Sequence, residues 1–173
     1  MTDKELQLIL SRMASSDVSA LAEVYGDMKI PIFTIIYRIV GNKAEAEDVM
    51  QEFFVRLYKN AQNITVKKPR AYIFQMARNM ALDNLRWQKR AGEPTKEEGA
   101  YNPWGAESDK LDIESAMTRA SESAKEIITL HINAGLKFRE ISEITKTPLG
   151  TVIWKYHKGI SQLQKYFNGD NNE

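Results

Sequence analysis

The sequence contains no cysteine, so disulfide bonds, thiolate metal sites and cysteine nucleophiles are all excluded. No apolar run approaches the roughly 20 residues that a membrane-spanning helix needs, and Met1 is followed by TDKE rather than by a signal sequence. Histidine occurs only at His131 and His157, in separate predicted helices, and no glycine-rich phosphate loop is present. These absences predict a cytoplasmic protein that is not an enzyme and needs no metal or cofactor.

Charge is unevenly distributed along the 173 residues, although the formal net charge is only +1. Positions 67–90 hold seven basic residues and one acidic residue, and positions 135–167 hold six basic and two acidic residues. Between these blocks, positions 91–126 hold nine acidic and four basic residues. Two basic blocks separated by an acidic stretch suggest two surfaces for a polyanion, although many surface helices are lysine-rich without binding one.

Apolar residues recur with the helical repeat through most of the chain, and no strand-like alternation persists. This pattern predicts an all-α fold. The first helix follows a capping box at TDKE, another capping box at SAKE (residues 123–126) starts a later helix, and Thr147 caps the last helix with Pro148 in its first turn. The other predicted helices cover 17–40 with a kink or break at Pro31, 42–60, 69–90 and 138–145.

Residues 91–111 are rich in glycine, proline and acidic side chains and show no helical stripe. This composition predicts a flexible linker. The linker would divide the chain into two small helical domains, residues 1–90 and residues 112–173.

The last two predicted helices have the layout of a helix-turn-helix motif. Ile141 and Ile144 lie on the apolar stripe of the first helix, a three-residue turn follows, and the second helix directs Val152 and Tyr156 to the core. In this motif the second helix inserts its N-terminal part into the major groove of duplex DNA. A plain helical hairpin with solvated lysines is the alternative. The candidate contacts to duplex DNA are Arg139, Lys146, Thr151, Ile153, Trp154, Lys155, His157 and Lys158.

The predicted helix over residues 69–90 interleaves aromatic and basic side chains. Single-stranded nucleic acid binding requires aromatic rings for unstacked bases and cations for the phosphates. Along one face of this helix runs a polar stripe, Asn79, Asp83, Arg86 and Arg90, at helical spacing. Aromatic residues at this spacing also suit a core, and Asp83 can simply pair with Arg86. The residues alone therefore leave both interpretations open.

Three segments of the chain resemble the bacterial sigma factors of RNA polymerase. The segment FREISEITKTPLGTVIWKYHKGISQL, residues 138–163, is similar to their fourth conserved region, which grips the upstream promoter element. The segments AEAEDVMQEFFVRLYKN, residues 44–60, and KPRAYIFQMARNMALDNLRWQKR, residues 68–90, are similar to their second conserved region. The compact two-module layout resembles the extracytoplasmic-function class.

This resemblance implies roles for particular residues. In the family, an acidic face of the third helix docks on the clamp helices of the large polymerase subunit. The following loop and the fourth helix capture the downstream promoter element as the duplex opens. The implied polymerase-binding residues are Asp48, Gln51, Glu52 and Arg56. The implied contacts to the downstream element and the separated strand are Lys67, Lys68, Arg70, Tyr72, Arg78, Asn79, Arg86 and Arg90.

The function implied by the resemblance is that of a dissociable initiation subunit. Such a protein binds core RNA polymerase, recognises a two-part promoter and promotes strand opening. An anti-sigma protein is a candidate further partner, because such inhibitors are frequent in this class. The alternative is a conventional dimeric helix-turn-helix regulator, which binds duplex DNA without acting as a polymerase subunit.

Overall fold

The computed structural model describes residues 1–92 and 115–169. Every regular element within these ranges is helical, which confirms the predicted all-α fold. The chain divides into two units, Met1–Glu97 and Glu98–Glu173. From residue 93 onward, the predicted linker lies outside the described residues.

The first unit contains four α-helices and is organised around the second. These helices are α1 (Asp3–Ala14), α2 (Val18–Val40), α3 (Lys43–Asn60) and α4 (Pro69–Ala91). Helix α2 packs against the other three. A 3₁₀ turn, Ala61–Asn63, opens the loop between α3 and α4 and packs against α1. The largest fully buried side chains come from all four helices and include Leu6, Met28, Ile32, Phe53, Leu57, Ile73 and Phe74.

Side-chain caps start two of these helices as predicted. The Thr2 hydroxyl accepts a hydrogen bond from the Glu5 amide at 3.3 Å, and the Glu5 carboxylate accepts one from the Thr2 amide at 2.6 Å. This capping box lowers the pKa of Glu5, chiefly through the bond from the Thr2 backbone. At the start of α3, the Asn42 side chain accepts a bond from the Glu45 amide at 3.0 Å. Each cap satisfies a backbone donor that the first helical turn leaves unpaired.

Helix α2 continues through Pro31 without interruption, so of the predicted kink or break the break is wrong and the kink stays a prediction. Proline removes one intrahelical hydrogen bond, but the residues that follow it are held by burial: Ile32 and Ile36 have no exposed surface. The hydroxyl of Thr34 also bonds back to the Ile30 carbonyl at 2.8 Å. Gly41, with a left-handed φ of 77°, ends the helix as expected.

An arginine-centred network fixes the corner between α1 and α2. The Arg12 guanidinium donates to Asp17 at 2.9 Å and to the Ser19 hydroxyl at 3.1 Å, and it lies 2.8 Å from a Glu23 oxygen. Asp17 also caps α2 by accepting a bond from the Ser19 amide at 2.9 Å. The pKa of Asp17 is lowered, first by its hydrogen bond from the Ser19 side chain and then by Arg12.

The second unit contains α5 (Glu122–Ile128), α6 (Phe138–Thr145) and α7 (Leu149–Phe167). Helix α5 runs directly into a π-helical turn, Thr129–Asn133, and packs against α7. Ser121 caps α5 by accepting a hydrogen bond from the Ala124 amide at 3.2 Å, so the predicted capping box that starts at Ser123 is wrong. The helix begins two residues earlier, and Ser123 lies inside its first turn.

Three rings tie the π-helical turn to the two helices that follow. The rings of His131 and Phe138 stack with centroids 4.4 Å apart, and the Tyr156 ring lies 5.0 Å from each of them. The Nδ1 atom of His131 lies 2.7 Å from the Leu136 carbonyl oxygen. His131 therefore has a packing role that orients α6 against α7.

The connection between α6 and α7 is short and held by side-chain bonds. Lys146 adopts the left-handed conformation, with a φ of 55°, which fits the place where glycine is common in such turns. The hydroxyl of Ser142 donates to the Thr147 carbonyl at 2.6 Å. The predicted N-cap at Thr147 is wrong, because its hydroxyl bonds to the Thr145 carbonyl at 3.3 Å and Pro148 occupies the cap position.

Candidate nucleic-acid interface

Two adjoining surface grooves run along the junction of α3 and α4 in the first unit. Their volumes are about 280 Å³ and about 230 Å³. Both grooves are lined by Arg56 on α3 and by Met80 and Asp83 on α4. The larger is completed by Tyr72, Gln75, Met76 and Asn79, and the smaller by Val49, Glu52, Asn84 and Trp87.

The face of α3 that the resemblance assigns to polymerase binding meets these grooves at Glu52 and Arg56. Asp48, Gln51 and Glu52 are all exposed on α3. Arg56 pairs with Glu52 one turn earlier, at 2.6 Å. Because both side chains of this pair are largely exposed, the pair contributes at most about 1 kcal/mol to stability. The Glu52 carboxylate therefore remains available to a partner.

The polar stripe of α4 meets the grooves at Asn79 and Asp83. Asn79, Asp83, Arg86 and Arg90 are exposed, as their spacing predicts. The Arg86 guanidinium donates to the Asp83 carboxylate at 2.7 Å, so the pair that was considered as the alternative to strand binding is present. Trp87 lies beside this pair with 54% of its surface exposed.

A partly buried chain of amides holds α4 against α3 beneath the stripe. Gln88, which is 2% exposed, donates to the Asn84 side chain at 2.9 Å. Asn84 in turn donates to the Glu45 carboxylate of α3 at 3.1 Å. This chain fixes the register of the two helices and thereby the distance between the two edges of the grooves.

The remaining residues that were assigned to the downstream element lie in different parts of the first unit. Lys67 and Lys68 are exposed in the loop before α4, and that loop is held by a bond from the Gln7 side chain to the Val66 carbonyl at 3.2 Å. Tyr72 is half-buried and lines the larger groove. Arg78 is half-buried and is not among the residues that line either groove.

Arg70 faces the N-terminal segment of the same unit. Its guanidinium donates to the Met1 carbonyl at 2.8 Å and lies 3.9 Å from the Asp27 carboxylate. Its backbone amide donates to the Asp3 carboxylate at 3.1 Å. In this arrangement Arg70 joins the start of α4 to α1 and α2, a packing role that the sequence did not suggest.

In the second unit, the candidate DNA contacts surround the turn and the exposed side of α7. Trp154, His157 and Lys158 are exposed opposite the buried Val152 and Gly159, while Thr151, Ile153 and Lys155 are half-buried. The Lys158 ammonium lies 4.7 Å from the centre of the Trp154 ring, within cation–π range. Arg139 and Lys146 are exposed on α6 and in the turn.

Among residues 1–92 and 115–169, no three histidine, aspartate or glutamate side chains are grouped so that they could hold a metal ion. In the same part of the chain, none of the helices combines the length and the hydropathy that a membrane crossing requires.

Sequence reasoning did not place Gln75, Met76 or Met80 in a site. These side chains lie on one helix, and they line grooves only because α3 packs beside α4 and supplies Arg56. The available signal was their helical spacing along α4, which matches the spacing of the polar stripe.

Comparisons with known proteins identify the first unit. Residues 25–91, which include most of α2 and all of α3 and α4, match the family Sigma-70 region 2. ECF RNA polymerase sigma factor SigW of Bacillus subtilis is 28% identical, over 90% of this chain and 93% of its own length. ECF RNA polymerase sigma factor SigL of Mycobacterium tuberculosis is 25% identical, over 90% of this chain and 93% of its own length.

Solved structures share the fold. The sigma factor RpoE of Bartonella quintana, in complex with the anti-sigma factor NepR, has a TM-score of 0.67 at 16% identity and covers 87% of this chain and 97% of its own. CnrH, in complex with the cytosolic domain of CnrY, has a TM-score of 0.65 at 15% identity and covers 95% of this chain and 98% of its own. The relatives that span both units do not favour the regulator alternative. Residues 25–91 thus match Sigma-70 region 2, and over 90% of its length the chain is similar to ECF RNA polymerase sigma factors.

Proposed function

We propose that this chain is an ECF sigma factor that binds core RNA polymerase, recognises a two-part promoter and promotes strand opening, with each step carried by a different surface. Sigma factors are not enzymes in general, and we propose that this chain likewise performs no chemistry itself. In this proposal, residues 1–90 dock on the polymerase, bind the downstream element and promote melting. Residues 112–173 bind the upstream element, and residues 91–111 are the linker.

The polymerase surface is the exposed face of α3 that carries Asp48, Gln51, Glu52 and Arg56. Its exposed carboxylates fit a partner surface of opposite charge, and complementary charge raises the association rate and selects the partner. The Glu52–Arg56 pair is exposed and weak, so a cation of the partner can replace Arg56 at little cost.

The strand-separating surface is the loop before α4 together with the basic and aromatic side chains of α4. Lys67 and Lys68 are exposed for phosphate contacts, and Tyr72 presents part of its ring to the groove. Because the chain performs no chemistry in this proposal, its binding to the separated strand must offset the few kcal/mol that unstacking a base costs. Stacking of an unpaired base on an aromatic side chain supplies about 1–3 kcal/mol.

The upstream surface is α7 with the preceding turn. Trp154 and Lys158 are exposed near the start of the helix and oppose its buried side, as the second helix of a helix-turn-helix requires. The anti-sigma factor NepR accompanies the structural neighbour from Bartonella quintana. We propose that a protein of this kind is also a partner of this chain.

The observation that carries the proposal is the location of the region 2 match. Residues 25–91 contain both edges of the α3–α4 grooves, so the docking face and the strand-binding face belong to one packed unit. The test is run-off transcription with purified core polymerase, with and without this chain, on genomic fragments. Initiation that does not depend on the chain would refute the proposal.

A charge-reversal pair localises the docking face. Glu52→Lys should reduce polymerase binding by at least tenfold, because a repulsive charge replaces an attractive one at an interface. Glu143→Lys makes the same charge change at an exposed position of α6 and should leave polymerase binding unchanged. Equal binding by both variants would show that the docking face is assigned to the wrong surface.

A further inference from the structure

The start of α4 carries the wrong charges for a helix N-terminus. Lys67, Lys68 and Arg70 surround it, although the macrodipole is positive at this end and disfavours cations. The first turn of α4 contains no acidic residue, and the Lys68 side chain at the cap position does not cap the helix. The residues of α4 itself therefore do not supply the groups that normally stabilise a helix start.

Asp3 supplies the cap from a different helix. Its side chain is half-buried in the first turn of α1 and accepts a hydrogen bond from the Arg70 amide at 3.1 Å. Because Pro69 has no amide proton, the Arg70 amide is the first donor of α4 that needs a partner from outside the helix. The Asp3 carboxylate also interacts favourably with the positive end of the macrodipole. Asp3 thus replaces a cap that the local sequence lacks.

Other contacts from the same part of the chain hold the loop before α4. The Met1 carbonyl accepts a bond from the Arg70 guanidinium at 2.8 Å, and the Gln7 side chain donates to the Val66 carbonyl at 3.2 Å. At the other end of the loop, the 3₁₀ turn Ala61–Asn63 packs against α1. The N-terminal segment with α1 therefore holds the loop at its start, near its end and at the helix that follows.

We propose that Asp3 is a positioning residue for strand opening, which caps α4 from α1 and so fixes Lys67 and Lys68 where they meet the phosphates of the separated strand. Both lysines directly precede the capped turn. Without the cap, the first turn of α4 frays, and the fraction of molecules with both lysines in place falls. The apparent affinity falls with that fraction. This inference rests on the proposed function and identifies what holds its strand-binding loop in place.

The cap and the charge of Asp3 predict opposite effects of substitution. Removing the carboxylate makes the surface around Lys67 and Lys68 more positive, so electrostatics alone predicts tighter strand binding by both Asp3→Ala and Asp3→Asn. A cap needs only a side-chain oxygen that accepts from the amide, which asparagine keeps and alanine lacks. Positioning therefore predicts weaker binding by Asp3→Ala and no weakening in Asp3→Asn.

The experiment measures binding of the chain, assembled with core polymerase, to promoter templates that carry a pre-opened bubble. Asp3→Ala should bind about two- to fivefold more weakly than the unmodified chain, the range expected when the loss of one cap shifts a local equilibrium. Asp3→Asn should bind at least as tightly as the unmodified chain. Core polymerase affinity, measured separately, should be the same for all three.

A double-mutant cycle separates positioning from a general loss of stability. In a chain that carries both Lys67→Ala and Lys68→Ala, adding Asp3→Ala should lower the affinity for the opened template by less than about 1.5-fold, because the groups that Asp3 positions are gone. A loss of folded protein would lower the affinity by the same factor in both backgrounds.

Asp17→Ala is the matched control. It removes an aspartate that caps α2 by accepting a bond from the Ser19 amide at 2.9 Å, and it should leave binding to the opened template unchanged. Hydrogen exchange of the Arg70 amide reports the cap directly. This amide should exchange faster in Asp3→Ala than in either Asp3→Asn or Asp17→Ala.

Several results would overturn the inference. Asp3→Ala that binds the opened template as tightly as the unmodified chain, or more tightly, would remove Asp3 from a positioning role, and equal losses in Asp3→Ala and Asp3→Asn would exclude the cap as the cause. An equal loss in Asp17→Ala, or the same loss with and without the two lysines, would reduce the effect to stability. Failure of the unmodified chain to bind core polymerase would instead refute the proposed function, and this inference with it.

Discussion

Gly159 sets the distance between α5 and α7, and replacing it with alanine tests the packing of the second unit. A Cβ atom at this position would lie 2.7 Å from the Cδ1 atom of Ile128 and 3.4 Å from the Cβ atom of Ala124. Ile128 is 5% exposed, so the end of its side chain must shift inside a packed core. Overpacking of this kind costs about 1–3 kcal/mol. The gain in helix propensity from glycine to alanine offsets about 1 kcal/mol, which leaves a net loss of roughly 1 kcal/mol.

A pair of variants in the same helix measures the propensity term separately. Ser161 is exposed on α7 two residues beyond Gly159, so Ser161→Ala should be more stable than Ser161→Gly by about 1 kcal/mol. The change in stability caused by Gly159→Ala should differ from this value only by the overpacking cost. Hydrogen exchange of the α5 and α7 amides is the suitable assay, because it reports the opening free energy of this unit by itself.

A second substitution identifies the atom responsible. Ile128→Val removes the Cδ1 atom and should cost about 0.5–1.5 kcal/mol alone. Combined with Gly159→Ala, it should cost at least about 1 kcal/mol less than the sum of the two single changes, because the close contact is gone. Additive effects, or a Gly159→Ala variant as stable as the Ser161 pair predicts, would refute the close approach of the two helices at this glycine.

Three further predictions concern pH, strand opening and duplex binding. Because the folded-state pKa of Asp17 is lowered, its ionised form stabilises the fold above the unfolded pKa of about 3.9. This stabilisation is lost as the pH falls through the folded pKa. The urea midpoint of Asp17→Asn should thus lie below that of the unmodified chain at neutral pH and approach it in acid; a constant difference would contradict this. Arg86→Ala should weaken promoter opening, followed with a fluorescent base analogue, more than duplex binding, and equal losses would count against a strand contact. Lys155→Ala should lower upstream-duplex affinity and flatten the plot of log affinity against log salt by about one unit; an unchanged slope would exclude Lys155 from the interface.

Helix boundaries were predicted correctly wherever a single local sequence signal determines them. The Thr2 capping box is present as predicted, and the predicted boundary between residues 40 and 42 coincides with the left-handed Gly41 and the Asn42 cap, because each depends on neighbouring residues only. The start of α5 was misplaced because Ser121 and Ser123 are both acceptable caps. The choice between them depends on which register buries Ala124 and Ile127 against α7, and a local pattern does not contain that information.

The candidate site shows the same division between local and tertiary information. The polar stripe of α4 followed from helical spacing, and its Asp83–Arg86 pair is present. The grooves did not follow, because they depend on the register that Gln88, Asn84 and Glu45 impose on α4 against α3. Assignment by resemblance likewise could not show that Arg70 is bonded to the N-terminal segment, since that contact joins residues far apart in sequence.

The charge pairs at the grooves have a consequence for how variants of this surface are interpreted. Arg56–Glu52 and Arg86–Asp83 each join residues one turn apart on a single helix, and all four side chains are at least half exposed. Such pairs contribute about 0.3–0.5 kcal/mol, against about 5–15 kcal/mol for the whole fold of a typical domain. Substitutions that remove one partner therefore leave the core of α3 and α4 intact. A large change in polymerase binding or strand binding at these positions must then come from a lost contact with the partner, because the fold itself has lost almost nothing.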